Sequence, residues 1–148
     1  MKRHAILMDN LQVKPCHLLA QQWMLLTAGD FAAGKFNTMA VGWGSFGTIW
    51  GKPFAHVVVR PTRYTHDFME KHNTFTLCAF PAEYRKAIQL LGSKSGRDGD
   101  KIAESKLTPI ASSKVAAPGF AEAELTMECR QIYRTRLDPR DFLDKDIE

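Results

Sequence analysis

The apolar residues of this chain come in runs no longer than a strand. Trp23 to Thr27, Ala55 to Val59 and Phe75 to Phe80 are each cut off by Gly, Pro or Asn close by. A membrane-spanning helix needs about 20 consecutive apolar residues, so none of these runs can be one. The N-terminal stretch has only Ala5 to Met8 as an apolar block before Asp9, too short for the core of an export signal, and a cytoplasmic location is expected. Short β-branched and aromatic runs separated by turn formers predict a mainly β domain with inserted helices. At 148 residues, one core is enough to fold without a disulfide or metal staple, so a single domain over 1–148 is expected.

Charge and reactive side chains narrow the function classes. The net charge of +4 is uneven, about +6 over residues 1–99 and −2 over the remainder. That excess suits a phosphate-bearing small molecule, and it lacks the dense Lys/Arg stripe of a polynucleotide binder, so no nucleic-acid partner is expected. Cys16, Cys78 and Cys129 are odd in number and far apart, which reads as reduced thiols. The five histidines form no H-x-x-x-H pair and the cysteines no C-x-x-C pair, so no metal site is expected.

Along the chain, Trp23 to Thr27 reads as a strand entering a wide hairpin, and Phe36 to Trp43 as its partner, with Gly42, Gly44 and Gly47 breaking the pattern. Trp50-Gly51-Lys52-Pro53 reads as a turn, and Phe54 to Val59 as a buried strand ending at Arg60-Pro61. Thr65 is placed as the N-cap of a short helix through Lys71, and Thr74 to Phe80 as a strand. Tyr84, Ala87, Ile88 and Leu91 recur at helical spacing, with Gly92 as the stop. A polar loop follows to Lys101, then a turn or two of helix within Ile102 to Leu107. Ala121 to Leu137 reads as a long strand with Leu125, Met127 and Cys129 inward, and Asp141 to Asp146 as a short helix.

Three polar segments can carry chemistry. Arg60-Pro61-Thr62-Arg63-Tyr64-Thr65 sits between a strand and a helix start, where N–H groups, hydroxyls and two guanidiniums suit an anion; a capped helix with solvated arginines reads equally from the same residues. Ser93 to Lys101 is a Ser/Gly loop with Lys94, Arg97 and Lys101, able to cradle phosphate or to remain a surface loop; it lacks the G-x-x-x-x-G-K-[ST] pattern. Asn37 to Ser45 alternates polar and small residues beside Met39 and Trp43, which suits a flat heterocycle or a core strand.

Taken together, Asn37-Thr38-Met39, Trp43-Gly44-Ser45, Trp50-Gly51-Lys52-Pro53, Val58 to Thr65, Phe75-Thr76-Leu77, Ser95-Gly96-Arg97-Asp98 with Lys101, and Glu128-Cys129 resemble the flavin reductase-like domain family over about residues 15 to 147. The resemblance implies the FMN-binding split β-barrel fold, a homodimer, and a flavoprotein oxidoreductase that moves hydride or electrons between NAD(P)H and flavin or a redox partner. It places Asn37, Thr38, Met39, Trp43 and Ser45 along the isoalloxazine and ribityl. It places Arg60, Arg63, Tyr64 and Thr65 on the phosphate side, with Ser95, Gly96 and Lys101 closing the site. No catalytic side chain is implied, because a bound flavin carries the redox chemistry and the protein supplies position and electrostatics.

Two departures accompany the resemblance. Ala40 and Gly42 stand where relatives often carry hydroxyls, and relatives continue past Phe142-Leu143-Asp144 by a strand or two, so the last barrel strand is expected to be absent. A non-catalytic FMN or electron carrier, or a cofactor-free interaction domain, remain the alternatives. FAD shares the ring and first phosphate of FMN, and no G-x-G-x-x-G fingerprint selects a nicotinamide nucleotide.

Overall fold

The computed structural model describes residues 3–147. Its centre is a four-stranded antiparallel sheet in the order β2-β1-β5-β8, formed by β1 (Met24–Asp30), β2 (Lys35–Val41), β5 (Thr74–Ala79) and β8 (Leu125–Arg130). β1 and β5 lie in the middle and are covered on both faces, which is why their sequences are apolar almost without alternation.

One face of the sheet carries Leu26, Met39, Leu77 and Met127 against Leu18 and Leu19, with Phe68 and Met69 of α1 (Tyr64–Lys71) and Phe46 and Ala55 of a second hairpin packed around them. The other face carries Leu25 and Cys78 against Phe80, Ile88, Leu91, Leu107 and Phe120. Ile88 and Leu91 belong to α2 (Arg85–Ser93), whose apolar stripe falls where the helical spacing puts it. Full burial of side chains such as Leu26, Leu77 and Leu91 contributes roughly 1.5–3 kcal/mol each. A threonine row, Thr27, Thr38 and Thr76, crosses this face fully buried. The Thr27 hydroxyl donates to Thr38, Thr38 donates to Leu26 O, and Thr76 donates to Pro118 O at 2.6 Å, so the polar atoms cost little.

The second hairpin, β3 (Gly44–Ile49) with β4 (Lys52–Val57), stands apart as a two-stranded sheet. Its turn is only Trp50-Gly51, both at positive φ, the pair of conformations that matches strand twist in a two-residue hairpin. Lys52 and Pro53, read from sequence as turn, already pair with Ile49 and Thr48. Gly44 and Gly47 lie inside β3 rather than ending a strand.

Other elements depart from the sequence reading for identifiable reasons. Phe54 to Val59 is not a buried strand: β4 stops at Val57, its residues are half-buried or exposed, and among the described residues β3 is the one strand paired with it. Helix α2 continues through Gly92, where an added Cβ would lie 2.8 Å from the Ala40 Cβ; glycine there serves the close approach of helix and sheet, not a helix stop. The first hairpin is tight, with β1 running on to Asp30 and β2 beginning at Lys35. β8 ends at Arg130, and beyond it Ile132, Tyr133 and Leu137 are exposed. The C-terminal helix expected over Asp141 to Asp146 is instead a single turn at Pro139–Asp141, capped by the Asp138 carboxylate. Several elements have no counterpart in the reading, among them β3, a wide helical turn at His17–Gln22, and the pair β6 (Pro109–Ile110) with β7 (Gly119–Phe120).

Candidate functional site

The chain leaves the β3–β4 hairpin through Val58 to Arg63 and turns into α1, with Arg63 N–H donating to Arg60 O at 3.0 Å. This turn sets its two arginines apart. The Arg60 guanidinium lies over the exposed Trp43 ring, 4.9 Å from its centroid, facing an open cleft of about 2400 Å³ between β4 and β8. Arg63 faces the end of α2, where it donates to Gly92 O at 3.4 Å.

Thr65 is not an N-cap. Arg63 is the flanking residue, and Thr65 lies inside the first turn, 1% exposed, where its Oγ1 accepts a hydrogen bond of 2.8 Å from Asn37 Nδ2. Burial of both partners makes the bond a tie between β2 and α1. The loop after α2 closes on the same point. Gly96 sits so near the Asn37 carboxamide that an added Cβ would lie 2.2 Å from Asn37 Oδ1 and 3.0 Å from the Tyr64 ring. Arg97 then clasps the loop to α1. Its guanidinium stacks 4.7 Å over the Tyr64 ring, pairs with Asp67 at 2.7 Å and donates to Thr62 O. Ser95 Oγ accepts from the Arg97 N–H and shapes the turn.

Lys101 opens α3 (Lys101–Ser105) and is 4% exposed. Its Nζ donates to Leu91 O at 2.8 Å and Lys94 O at 2.9 Å, carbonyls at the C-terminal end of α2 where a cation is favoured. Among the described residues no carboxylate pairs with it. Burial, reinforced by the nearby Arg63 charge, pulls its pKa from the usual 10.5 down to about 8. Neither Arg63 nor Lys101 is joined to a carboxylate by a salt bridge among the described residues, although Asp67 and Asp100 line the same cavity as Lys101.

Asn37, Tyr64, Gly96 and Lys101 all line one cavity of about 540 Å³, within the range of small-molecule pockets. Trp43 and Arg60 line the larger cleft instead, and Ser45 is exposed on β3 opposite His56. Thr38, Met39, Arg63, Thr65 and Ser95 line neither opening. Thr38 belongs to the buried threonine row and Met39 to the core beneath α1, because successive residues of β2 face opposite sides of the sheet. Arg97 and Asp67, absent from the sequence-derived site, are the residues that fasten its loop. The signal for Arg97 was its place in the Ser95 to Asp98 segment, but nothing in the sequence paired it with Asp67.

Burial pushes the Cys78 thiol up and the Cys129 thiol up to about 12, so neither is an available thiolate. His66 lies 3.8 Å from Glu70 at the cleft edge. Among the described residues, no group of three or more His, Cys, Asp or Glu side chains is placed to hold a metal ion, and no helix is long and apolar enough to cross a membrane.

Comparison with known families decides the relationship: residues 16–141 match the flavin reductase like domain. The chain belongs to that family. No curated protein matches it by sequence. Among solved structures it is similar to flavoredoxin of Desulfovibrio vulgaris (Miyazaki F), with 24% identity, TM-score 0.71, and coverage of 92% of this chain and 69% of that one. It is also similar to an FMN-binding domain of a flavin reductases-like enzyme from Shewanella baltica, with 20% identity, TM-score 0.69 and coverage of 84% and 65%. A third is the NADH:FAD oxidoreductase of Streptomyces globisporus, with 17% identity, TM-score 0.66 and coverage of 80% and 66%. The chain spans about two thirds of the length of each of these proteins. At these identities the likeness establishes the fold, a split barrel of the flavin reductase-like kind.

Proposed function

We propose that this flavin reductase-like chain binds FMN and passes electrons between a nicotinamide nucleotide and the flavin, or from the flavin to a redox partner. The observation that carries the reading is Lys101, almost wholly buried at the cavity, joined to no carboxylate among the described residues and near enough to Arg63 to feel its charge. A flavin phosphate supplies the missing negative charge. Thr65, Tyr64, Ser95 and Gly96 frame that end, and Trp43, Ser45 and Arg60 receive the ring where the chain turns toward the open cleft. Thr38 and Met39 support the site from within the core.

A bound flavin supplies hydride and electron transfer; the side chains bind, orient and exclude water. Arg60, held over Trp43, keeps a positive charge beside the ring's position and favours an electron-rich flavin. FMN is preferred to FAD as the simplest ligand with one ring system and one phosphate. NADH or NADPH is the proposed donor, in line with the NADH:FAD oxidoreductase among its structural relatives.

A second copy of the chain is the proposed cover for the apolar surface around the cleft, where Trp50 is 65% and Tyr133 70% exposed and their rings meet edge to face. The test of function is an absorbance spectrum after incubation with FMN and removal of free ligand, followed by NADH and NADPH oxidation with added flavin. Retained flavin with turnover supports the reductase; retained flavin without turnover turns the reading to an electron carrier.

A further inference from the structure

The open cleft between β4 and β8 has two cationic ends joined by one face of α1, formed by His66, Met69 and Glu70. At the start of that face Arg60 lies over Trp43, and the eight-residue helix carries the wall about 12 Å onward to its last turn. There the chain leaving β8 is fastened down. Gln131 Nε2 donates to Met69 O and His72 O, both at 2.8 Å, while Arg134 donates to Glu70 O and lies 3.4 Å from the Glu70 carboxylate. Arg130 and Arg136 flank this clasp and line the cleft, and among the described residues neither is joined to a carboxylate. Glu128, two residues before Arg130, is turned instead onto the Ser113 and Lys114 N–H groups. Among the described residues seven Arg and Lys side chains line the cleft against three Glu, an excess that a concave, partly apolar surface focuses into a positive field.

A nicotinamide dinucleotide has to bring its ring to the flavin, whose ring the proposed function puts at the Trp43–Arg60 end. The rest of the molecule then runs along the cleft, and its adenosine reaches the far end of α1. NADH carries a neutral ribose hydroxyl there; NADPH carries a phosphate. We infer that Arg130 and Arg136, held at the end of α1 by Gln131 and Arg134, select NADPH over NADH by pairing with the 2′-phosphate. This rests on the flavin reading and adds to it the identity of the donor. Guanidiniums suit the task, because they meet phosphate oxygens through paired N–H donors and keep their charge.

The experiment compares steady-state oxidation of NADPH and NADH by the FMN-loaded protein, with 2′,5′-ADP, 5′-AMP and inorganic phosphate as inhibitors. The wild type is expected to show kcat/KM about tenfold or more higher for NADPH, the scale of a hydrogen bond to a charged group, and to be inhibited more strongly by 2′,5′-ADP than by 5′-AMP in the same proportion. In the Arg130→Ala, Arg136→Ala double variant the NADPH-to-NADH ratio should fall to within about twofold of one. The corresponding double lysine variant keeps the charges and should retain part of the preference. Added salt should lower the ratio in the wild type and not in the alanine variant. The ratio cancels a general loss of folded protein, which lowers both rates alike. Equal use of the two nucleotides by the wild type, or a preference that survives the alanine pair, would overturn the inference and leave the flavin reading standing. Inhibition by inorganic phosphate as strong as by 2′,5′-ADP would also overturn it, leaving a general anion site. Retained FMN with oxidation of neither nucleotide would overturn the donor assignment alone, whereas a protein that takes up no FMN would overturn the flavin reading as well.

Discussion

Replacing Gly96 by alanine asks whether the loop after α2 is packed on the site or merely lies near it. The two cases differ in sign. Gly96 does not occupy the left-handed region, so alanine fits its backbone. In a free loop that change stabilises by about 0.4–1 kcal/mol, because the unfolded chain loses freedom. Here the new methyl would stand 2.2 Å from Asn37 Oδ1 and 3.0 Å from Asn37 Cγ, so something must yield. Rotation of the Asn37 carboxamide breaks its bond to Thr65 and leaves a buried donor unpaired, at about 1–3 kcal/mol. Displacement of the loop instead strains the Arg97 contacts to Asp67, Thr62 and Tyr64. The net expectation is a loss of about 1–2 kcal/mol, which for a chain of this size lowers Tm by about 2–8 °C. Thermal unfolding by circular dichroism reads it directly, and FMN affinity should fall in parallel. In an Asn37→Ala background the contacts with the carboxamide are gone and only the 3.0 Å approach to the Tyr64 ring remains, so most of the penalty should disappear. An unchanged or raised Tm for Gly96→Ala in the wild-type background would refute the packing of this loop against Asn37.

Further outcomes follow from the same geometry. Below pH 8 Lys101 is protonated in both folded and unfolded chains. Between pH 8 and about 10.5 the unfolded chain holds more protons, so apo stability should rise with pH by up to about 3 kcal/mol, and Lys101→Met should flatten that rise in denaturant titrations. The same deprotonation removes a charge from the phosphate side, so FMN affinity should fall above pH 8 while riboflavin affinity does not. Arg97→Gln should cost well under 1 kcal/mol in global stability, since its pair with Asp67 is exposed, yet speed proteolysis within the loop around Ser95 to Gly99. Light scattering of the purified protein should give twice the chain mass of 16.7 kDa, and Trp50→Ser with Tyr133→Ser should shift it toward a single chain.

The centre of the fold was legible because burial on both faces writes itself plainly: β1 and β5 are short apolar runs, and α2 keeps its stripe through Ile88 and Leu91. The same signal misled at Phe54 to Val59, where an apolar run marks a surface that a single chain leaves half open rather than a covered strand. β6 and β7 are two residues each and carry no periodicity to read. At the site, the residues that gather stand in recognisable segments along the chain, but their roles depend on distance. A threonine before a helical run looks like a cap, and only the Asn37 amide shows that Thr65 faces inward. Thr38 and Met39 lie next to Asn37 in sequence and yet are turned into the core, a consequence of strand alternation combined with helices on both faces.

The most direct test of the central claim is a side-by-side titration of the protein with FMN and riboflavin at pH 7, following flavin fluorescence, for the wild type and for Arg63→Ala. Tighter binding of FMN than riboflavin, with that preference lost in Arg63→Ala, is the result expected from a cationic pole that takes the flavin phosphate. Equal affinity for the two ligands, or no saturable binding of either, would contradict it.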